Sequence, residues 1–358
     1  MSRALVRSFR PARPVVRAPR AGFTLLELMV SVSILSIVVI GVFESLTRQH
    51  RTSIVTESVV EVQNNVRAIA SLMEREIRMA GYMVPDEVGV CGVDSTTTSD
   101  ELFVSENEPI VPDDARAGDL GARLSAGSVW SNPTINSSDP STSAAVTLNL
   151  DSTTSDLDDD GTLFYDNDGN GTPDADFRVA GGFILTDLSN SHRGSLCGRV
   201  TAASTTQLTL VPMAGGLAAL TTDDAAEEIV IVPAARYFIN ATGGTGRLER
   251  NGDLLAQGVD DFQVSYYFDD GDGVVQAAEE VGTKTGAAYD PASLDNGDLT
   301  EVRFFIRVRT RAAEQGFDSG VLTALENRAV APGGNDGFRR RDVVGTVRPR
   351  NVGNEGSI

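Results

Sequence analysis

Residues 21–43 read AGFTLLELMVSVSILSIVVIGVF, an unbroken apolar run long enough to cross a bilayer, with one carboxylate, Glu27, near its start. A charge inside a membrane span costs roughly 2.5 kcal/mol or more, so an intramembrane Glu is expected to have a role and a partner. Six arginines (Arg3, Arg7, Arg10, Arg13, Arg17 and Arg20) and no acid precede the run. That bias predicts a leader on the cytoplasmic side and export of everything after the span. The plainer alternative is a secretory signal peptide, whose apolar core of about 7–15 residues is followed by a small-residue cleavage site. Here the core fills 23–43, and the small residue, Gly22, stands before it. An ordinary single-span anchor would not carry a Glu one turn inside.

The order Gly22-Phe23-Thr24-Leu25-Leu26-Glu27 closely resembles the processing motif of type IV prepilins, a family of type IV pilins, minor pilins and the pseudopilins of type II secretion. The resemblance implies a prepilin peptidase that cuts after Gly22 and N-methylates Phe23. It also implies that Glu27, with Thr24 beside it, serves assembly by pairing with the N-terminal amine of a neighbouring subunit. The chemistry agrees: an amine and a carboxylate are each expensive alone in lipid and tolerable together.

The chain of 358 residues can hold one large or two small domains. Its formal net charge is −20, and loss of the six leader arginines takes it to about −26. That acidity argues against a nucleic-acid-binding role for the exported part. The two cysteines, Cys91 and Cys197, are a candidate disulfide in an exported protein, with two free buried thiols as the alternative. Closing a loop of about 105 residues stabilises by roughly 4–5 kcal/mol in the chain-entropy model.

No proline interrupts residues 20–84. Beyond the span, Val55, Val59, Val62, Val66, Ile69 and Met73 recur at helical spacing, and Glu57, Glu61, Asn64, Arg67, Glu74 and Arg78 occupy the opposite face. The pattern predicts one helix over about 24–80, some 85 Å long at roughly 1.5 Å per residue. It should stop at Ala80-Gly81, with Pro85 beyond. The rest reads as β-rich. Residues 301–310 alternate, with Val302, Phe304, Ile306 and Val308 on one face and Arg303, Phe305, Arg307 and Arg309 on the other, predicting a half-buried strand with a basic exposed face. Further strands are expected over 145–150, 182–186, 207–211, 228–232, 236–239 and 262–268, with turns at residues 243–246 and at Asn251-Gly252. Residues 94–180, rich in Ser, Thr, Asp, Asn and Gly, read as a long insertion that carries a few strands and is partly mobile.

A finer resemblance lies in three patches. Residues 72–82 (LMEREIRMAGY) are similar to the helix end of PilW-type minor pilins. Residues 247–252 followed by 254–267 look like that family's mid-head hairpin. Residues 339–351 resemble its closing strand. The patches overlap with J-type pseudopilins and cover about a third of the chain.

The sharpest candidate for metal chemistry is the loop DNDGNGTPDAD. Asp166, Asp168 and Asn170 alternate, Gly171 stands sixth and Asp174 ninth, with Asp176 following. Hard oxygen donors at this spacing open a calcium loop, although Phe177 replaces the twelfth-position Glu of an EF-hand. The alternative is a solvated acidic turn. Asp156, Asp158, Asp160 and Gly161 repeat the opening upstream. Residues 269–273 form a third acidic patch, read as a hairpin tip, with Glu279 at the twelfth position of a calcium register. Catalysis has little support. The two histidines are His50, on the helix, and His192, in a polar loop, and the flanks of Asp318-Ser319-Gly320 do not match a serine protease.

The expected fold is α+β: a pilin-like lollipop whose long N-terminal helix packs on a β-rich head. The expected segments are a cleaved leader 1–22, a membrane and filament-core helix 23–43, an amphipathic helix 44–80, a periplasmic head 81–351 with the insertion 94–180, and a tail 352–358. The resemblance implies a minor pilin that primes a type IV pilus and caps its tip. Its partners would be other minor pilins, the major pilin, the prepilin peptidase, the inner-membrane assembly platform and a tip adhesin. A type II secretion pseudopilin and a calcium-dependent surface adhesin are the competing readings.

Overall fold

The computed structural model describes residues 22–352 except 83, 85–87, 107–120, 127, 129–132, 152–155, 158–162, 188–193, 217–228, 243, 270–273, 285 and 293–298. The leader arginines, Pro85, Asp158, Asp160, Gly161, His192, Gly243, residues 270–273 and most of the tail therefore lie outside the described residues.

Helix α1 (Leu25–Met79) is continuous over 55 residues, as the absence of proline and the apolar spacing require. The chain divides into two compact units, residues 1–56 and 57–358. In the first, the described residues are helix preceded by three residues outside any helix or strand, and the apolar side chains of the span are exposed. This helix is long and apolar enough to cross a membrane by length and composition.

In the second unit the helix buries its stripe progressively. Val59 and Val62 are half-buried, Val66, Ile69 and Ala70 are buried, and Met73 and Ile77 are fully enclosed. Burial of side chains of this size is worth about 1.5–3 kcal/mol each. The helix stops where Gly81 takes φ +76, a left-handed conformation that glycine adopts at little cost. The Gly81 N–H then donates to Ser105 Oγ, and the Arg350 N–H donates to the carbonyl of Arg78, near the helix's last turn.

The strands are β1 (Val90–Val93), β2 (Glu101–Ser105), β3 (Ala122–Arg123), β4 (Val146–Asn149), β5 (Gly182–Asp187), β6 (Leu196–Ala203), β7 (Gln207–Gly215), β8 (Ile229–Asn240), β9 (Arg247–Arg250), β10 (Asp253–Gln257), β11 (Val259–Phe268), β12 (Glu280–Val281), β13 (Leu299–Arg309) and β14 (Arg340–Val347). Among the described residues these strands pair antiparallel throughout. The larger sheet runs β1-β2-β8-β5-β6-β7-β4, with β3 and β9 also on β8 and β10 on β9; the smaller runs β12-β11-β13-β14.

Two apolar clusters divide the head. One joins the helix stripe to Leu102, Val104 and Tyr237 of the larger sheet and to Phe262, Val264, Val302, Phe304 and Ile306 of the smaller. The other lies around Phe103, Phe183, Ile184, Val211 and Ile231 of the larger sheet, closed by Leu148, Leu157 and Phe177.

Three expectations change. The strands expected at 228–232 and 236–239 are one 12-residue strand, β8, because Pro233 sits within it without ending it. The stretch 94–180 opens on β2, a core strand between β1 and β8, so the insertion cannot begin at residue 94. β2 is too short and too apolar to alternate visibly. Finally, the outer face of β13 is not an exposed basic face. Arg307 is buried, and Arg303 and Arg309 are half-buried. Each has a carboxylate: Glu301 for Arg303 at 2.6 Å, Asp342 for Arg307 at 2.7 Å and Asp260 for Arg309 at 3.4 Å. The connection after β13 covers this face, where Thr323 O accepts from Arg307 and Phe338 lies under Arg309.

Candidate functional site

At the N-terminal end, Gly22, Phe23 and Thr24 precede the helix without helical structure. Phe23 is fully out in the open, and nothing lies within 4 Å of where a Cβ would stand on Gly22. Both residues flanking the Gly22–Phe23 bond are therefore exposed and outside the helix.

Thr24 caps the helix. Its Oγ1 accepts the N–H of Glu27 at 3.3 Å, and Glu27 Oε2 in return accepts the Thr24 N–H at 2.9 Å and the Thr24 hydroxyl at 3.0 Å. This reciprocal arrangement is a capping box, and it holds the carboxylate at the helix start, where the backbone dipole favours negative charge. The Thr-x-x-Glu spacing was its signal in the sequence. Deeper in the span, Ser31, Ser33 and Ser36 donate to the carbonyls four residues back, at 2.7–2.8 Å, which satisfies hydroxyls that lipid could not.

Residues 17–43 match the model of the prokaryotic N-terminal methylation motif. The chain carries a methylation motif of the type IV prepilin kind. Among solved structures, a type IV-like pilin from Thermus thermophilus aligns with 81% of this chain and 96% of its own, at 10% identity and a TM-score of 0.27. No curated protein matches the sequence. The motif covers the start of the helix that is long and apolar enough to cross a membrane.

The second candidate is the acidic loop. Asp166, Asp168 and Asp174 each bring a carboxylate oxygen within 4.8 Å of the other two. The loop is shaped by its own side chains: Asp166 accepts from the N–H groups of Gly169, Asn170 and Gly171, and Asp168 accepts from both nitrogens of Asn170. Gly169 and Gly171 both sit at positive φ. Asn170 Oδ1 accepts from Thr172 N–H at 2.7 Å. Asp174 is buried at the loop's base and accepts from Asn167 N–H. Asp176 leaves the set: it is buried beneath the loop, and its oxygens accept the N–H groups of Leu157 and Phe164. A set of three clustered aspartates can hold a hard cation.

Cys91 of β1 and Cys197 of β6 are joined, with Cα atoms 6.2 Å apart, inside the second apolar cluster. Glu279, downstream of the third acidic patch, accepts Gln276 N–H. Ser319 hydrogen-bonds Asp336, and His50 is exposed on α1.

Sequence reasoning missed two polar assemblies. In one, Arg250 Nη2 meets Glu106 at 2.9 Å and its Nε meets Glu76 of α1 at 3.1 Å, while the Tyr237 hydroxyl donates to Glu76. Burial, and then the Glu76 carboxylate, push the Tyr237 phenol well above its usual range, so it remains a donor. In the other, Arg328 pairs with the buried Asp261 of β11. Neither has a local signal, because the partners lie far apart in sequence.

Proposed function

We propose that this chain is a minor pilin that primes a type IV pilus from the inner membrane and takes its place at the pilus tip. The observation that carries the reading is the exposed Gly22-Phe23 pair ahead of an exposed apolar helix with Glu27 one turn inside. Cleavage by a prepilin peptidase would free the Phe23 amine, and Glu27 would pair with such an amine on a neighbouring subunit. The partners are the other minor pilins, the major pilin and the inner-membrane assembly platform, with a tip adhesin above. The head is periplasmic before assembly and at the cell surface afterwards. A large acidic head suits a tip, where it crowds no helical lattice.

The test is pilus counting by electron microscopy in a clean deletion strain that also lacks retraction. Few or no pili support priming. Abundant pili overturn it, and lost secretion of exported enzymes in that strain would assign the chain to a type II secretion pseudopilus.

A second reading rests on the converging Asp166, Asp168 and Asp174 carboxylates: the loop binds calcium, with Asn170 completing the oxygen set. Ca2+ at a hundredfold excess over its Kd would stabilise by about 2.7 kcal/mol. The melting temperature should rise with Ca2+ in the native chain and stay fixed in Asp166→Asn/Asp168→Asn. An unchanged native melting temperature removes the reading.

A further inference from the structure

We propose that residues 311–339, the connection between β13 and β14, form a displaceable strap. A latch centred on Arg328 and Asp261 holds it against the outer face of the smaller sheet, and it lifts as one unit while that sheet stays folded.

The strap can leave without breaking the sheet. Its two ends meet at a neck, where Thr310 N–H donates to Arg339 O at 2.9 Å, just past the Arg309–Arg340 pairing that ends the β13–β14 ladder. Above the neck it is tied to itself: Glu314 N–H donates to Gly337 O, Ser319 N–H to Asp336 O and Asn335 N–H to Gly320 O, at 2.7–2.8 Å. It therefore moves as a body.

Little holds it by apolar contact. No residue of 311–339 is buried, and none is in a helix or strand. Segments with few buried apolar contacts open at lower free energy than the core they cover. Its far end is fastened by polar groups. Arg328 bonds Asp261 and Ser99, Asn327 bonds Asp94, and the Ala329 N–H donates to Thr96 O at 2.8 Å. Arg307 and Lys284 reach up to the carbonyls of Thr323 and Ala324.

The seam is imperfectly made. Among the described residues, four buried side-chain polar atoms without a hydrogen-bond partner lie here: Asp261 Oδ2, Gln263 Oε1, Asn327 Oδ1 and Arg328 Nε. Buried polar atoms without partners weaken the docked state, and lifting would hydrate them. Glu326, next to the latch, sits at φ +35, a strained conformation for a residue with a side chain. Against these terms stands Asp261, which is fully buried and would lose its guanidinium when the strap lifts. The opposition makes a two-state element. In the lifted state, a cleft of about 480 Å³ walled in part by Arg328 and Pro332 opens, and the sheet face of Gln263, Phe305 and Arg307 is bared.

Hydrogen exchange on the full chain in detergent micelles tests this. The amide of Ala329, bonded across the seam to Thr96, reports the lift and should exchange about tenfold or more faster than the amides of β13. Arg328→Met should speed the strap by about another tenfold and leave β13 unchanged. An oxidised Thr96→Cys/Ala329→Cys pair should slow it by a similar factor. Strap and β13 exchanging at one rate would overturn the proposal, as would strap exchange indifferent to Arg328→Met. If Arg328→Met does not fold, the cross-linked chain decides: slowed strap exchange supports the latch, and unchanged exchange overturns it.

Discussion

Glu27 has two possible partners, and the capping box supplies the first. While Thr24 holds it, the carboxylate already has hydrogen bonds within its own chain, so an isolated subunit does not carry a bare charge in lipid. A neighbour's amine must offer more than Thr24 does. Glu27→Ala should therefore impair assembly strongly while cleavage continues; pilus counts fall, and an immunoblot still shows the processed size. Thr24→Ala removes a cap worth about 1 kcal/mol and leaves the carboxylate free to pair, so pili should be fewer but present. Normal piliation in Glu27→Ala would remove the assembly role. A second residue-scale prediction concerns Asp336. Hydrogen bonds from Arg340, at 2.6 and 2.7 Å, hold its carboxyl well below the usual range. A depressed carboxyl stabilises the fold above the unfolded-state pKa of about 4, and that contribution fades as pH falls below it. Asp336→Asn should melt lower than the native chain at pH 7, and the difference should shrink below pH 4. A gap that stays constant with pH would count against it. The methylation motif, Thr24 and Glu27 were legible because they are contiguous; Arg340 was not, because its two acids, Asp260 and Asp336, sit on different segments.

Among the elements, the helix was the most legible. Its periodicity depends only on nearest turns, and its predicted ends lie within a residue of those observed. The stripe also ranks its own members. Met73 is enclosed, whereas Val59 is only half-buried. Met73→Ala should cost about 2–5 kcal/mol, read as a shift of the denaturant midpoint at constant slope, and Val59→Ala much less. Equal costs would show that the stripe does not pack as described. The strands were less legible, and length did not decide it: the 12-residue β8 read as two and the eight-residue β6 was not expected. β13 announces itself by alternation, but alternation reports only that two faces differ. It gives no sign that a later segment will cover the polar one, and so Arg307 was misplaced outside. β2 had no pattern to offer, since its neighbours on both sides let Leu102, Phe103 and Val104 all be buried.

At the scale of the whole molecule, what the sequence hides is which distant segments meet. The Cys91–Cys197 bond is the covalent record of one such meeting. It joins β1, at one edge of the larger sheet, to β6, and its 106-residue span encloses the whole of the polar stretch 94–180. That stretch contributes few apolar anchors, among them Leu148, Leu157 and Phe177. Ordering it costs conformational entropy that these anchors offset only in part. A cross-link that shortens the unfolded chain's reach lowers that cost, by about 4–5 kcal/mol for a loop of this length. The helix cluster does not contain the bond, because Met73, Phe262 and Ile306 pack on the opposite side. Cys91→Ala/Cys197→Ala should therefore act unevenly. Global stability by denaturant should fall by several kcal/mol, and hydrogen exchange should rise first in β4, β6 and β7, with β11 and β13 following only at global unfolding. Two alanines are preferred to serines, which would add buried hydroxyls. Uniform loss of protection across both sheets would mean that the head unfolds as one cooperative unit and that the bond does not serve the polar stretch in particular.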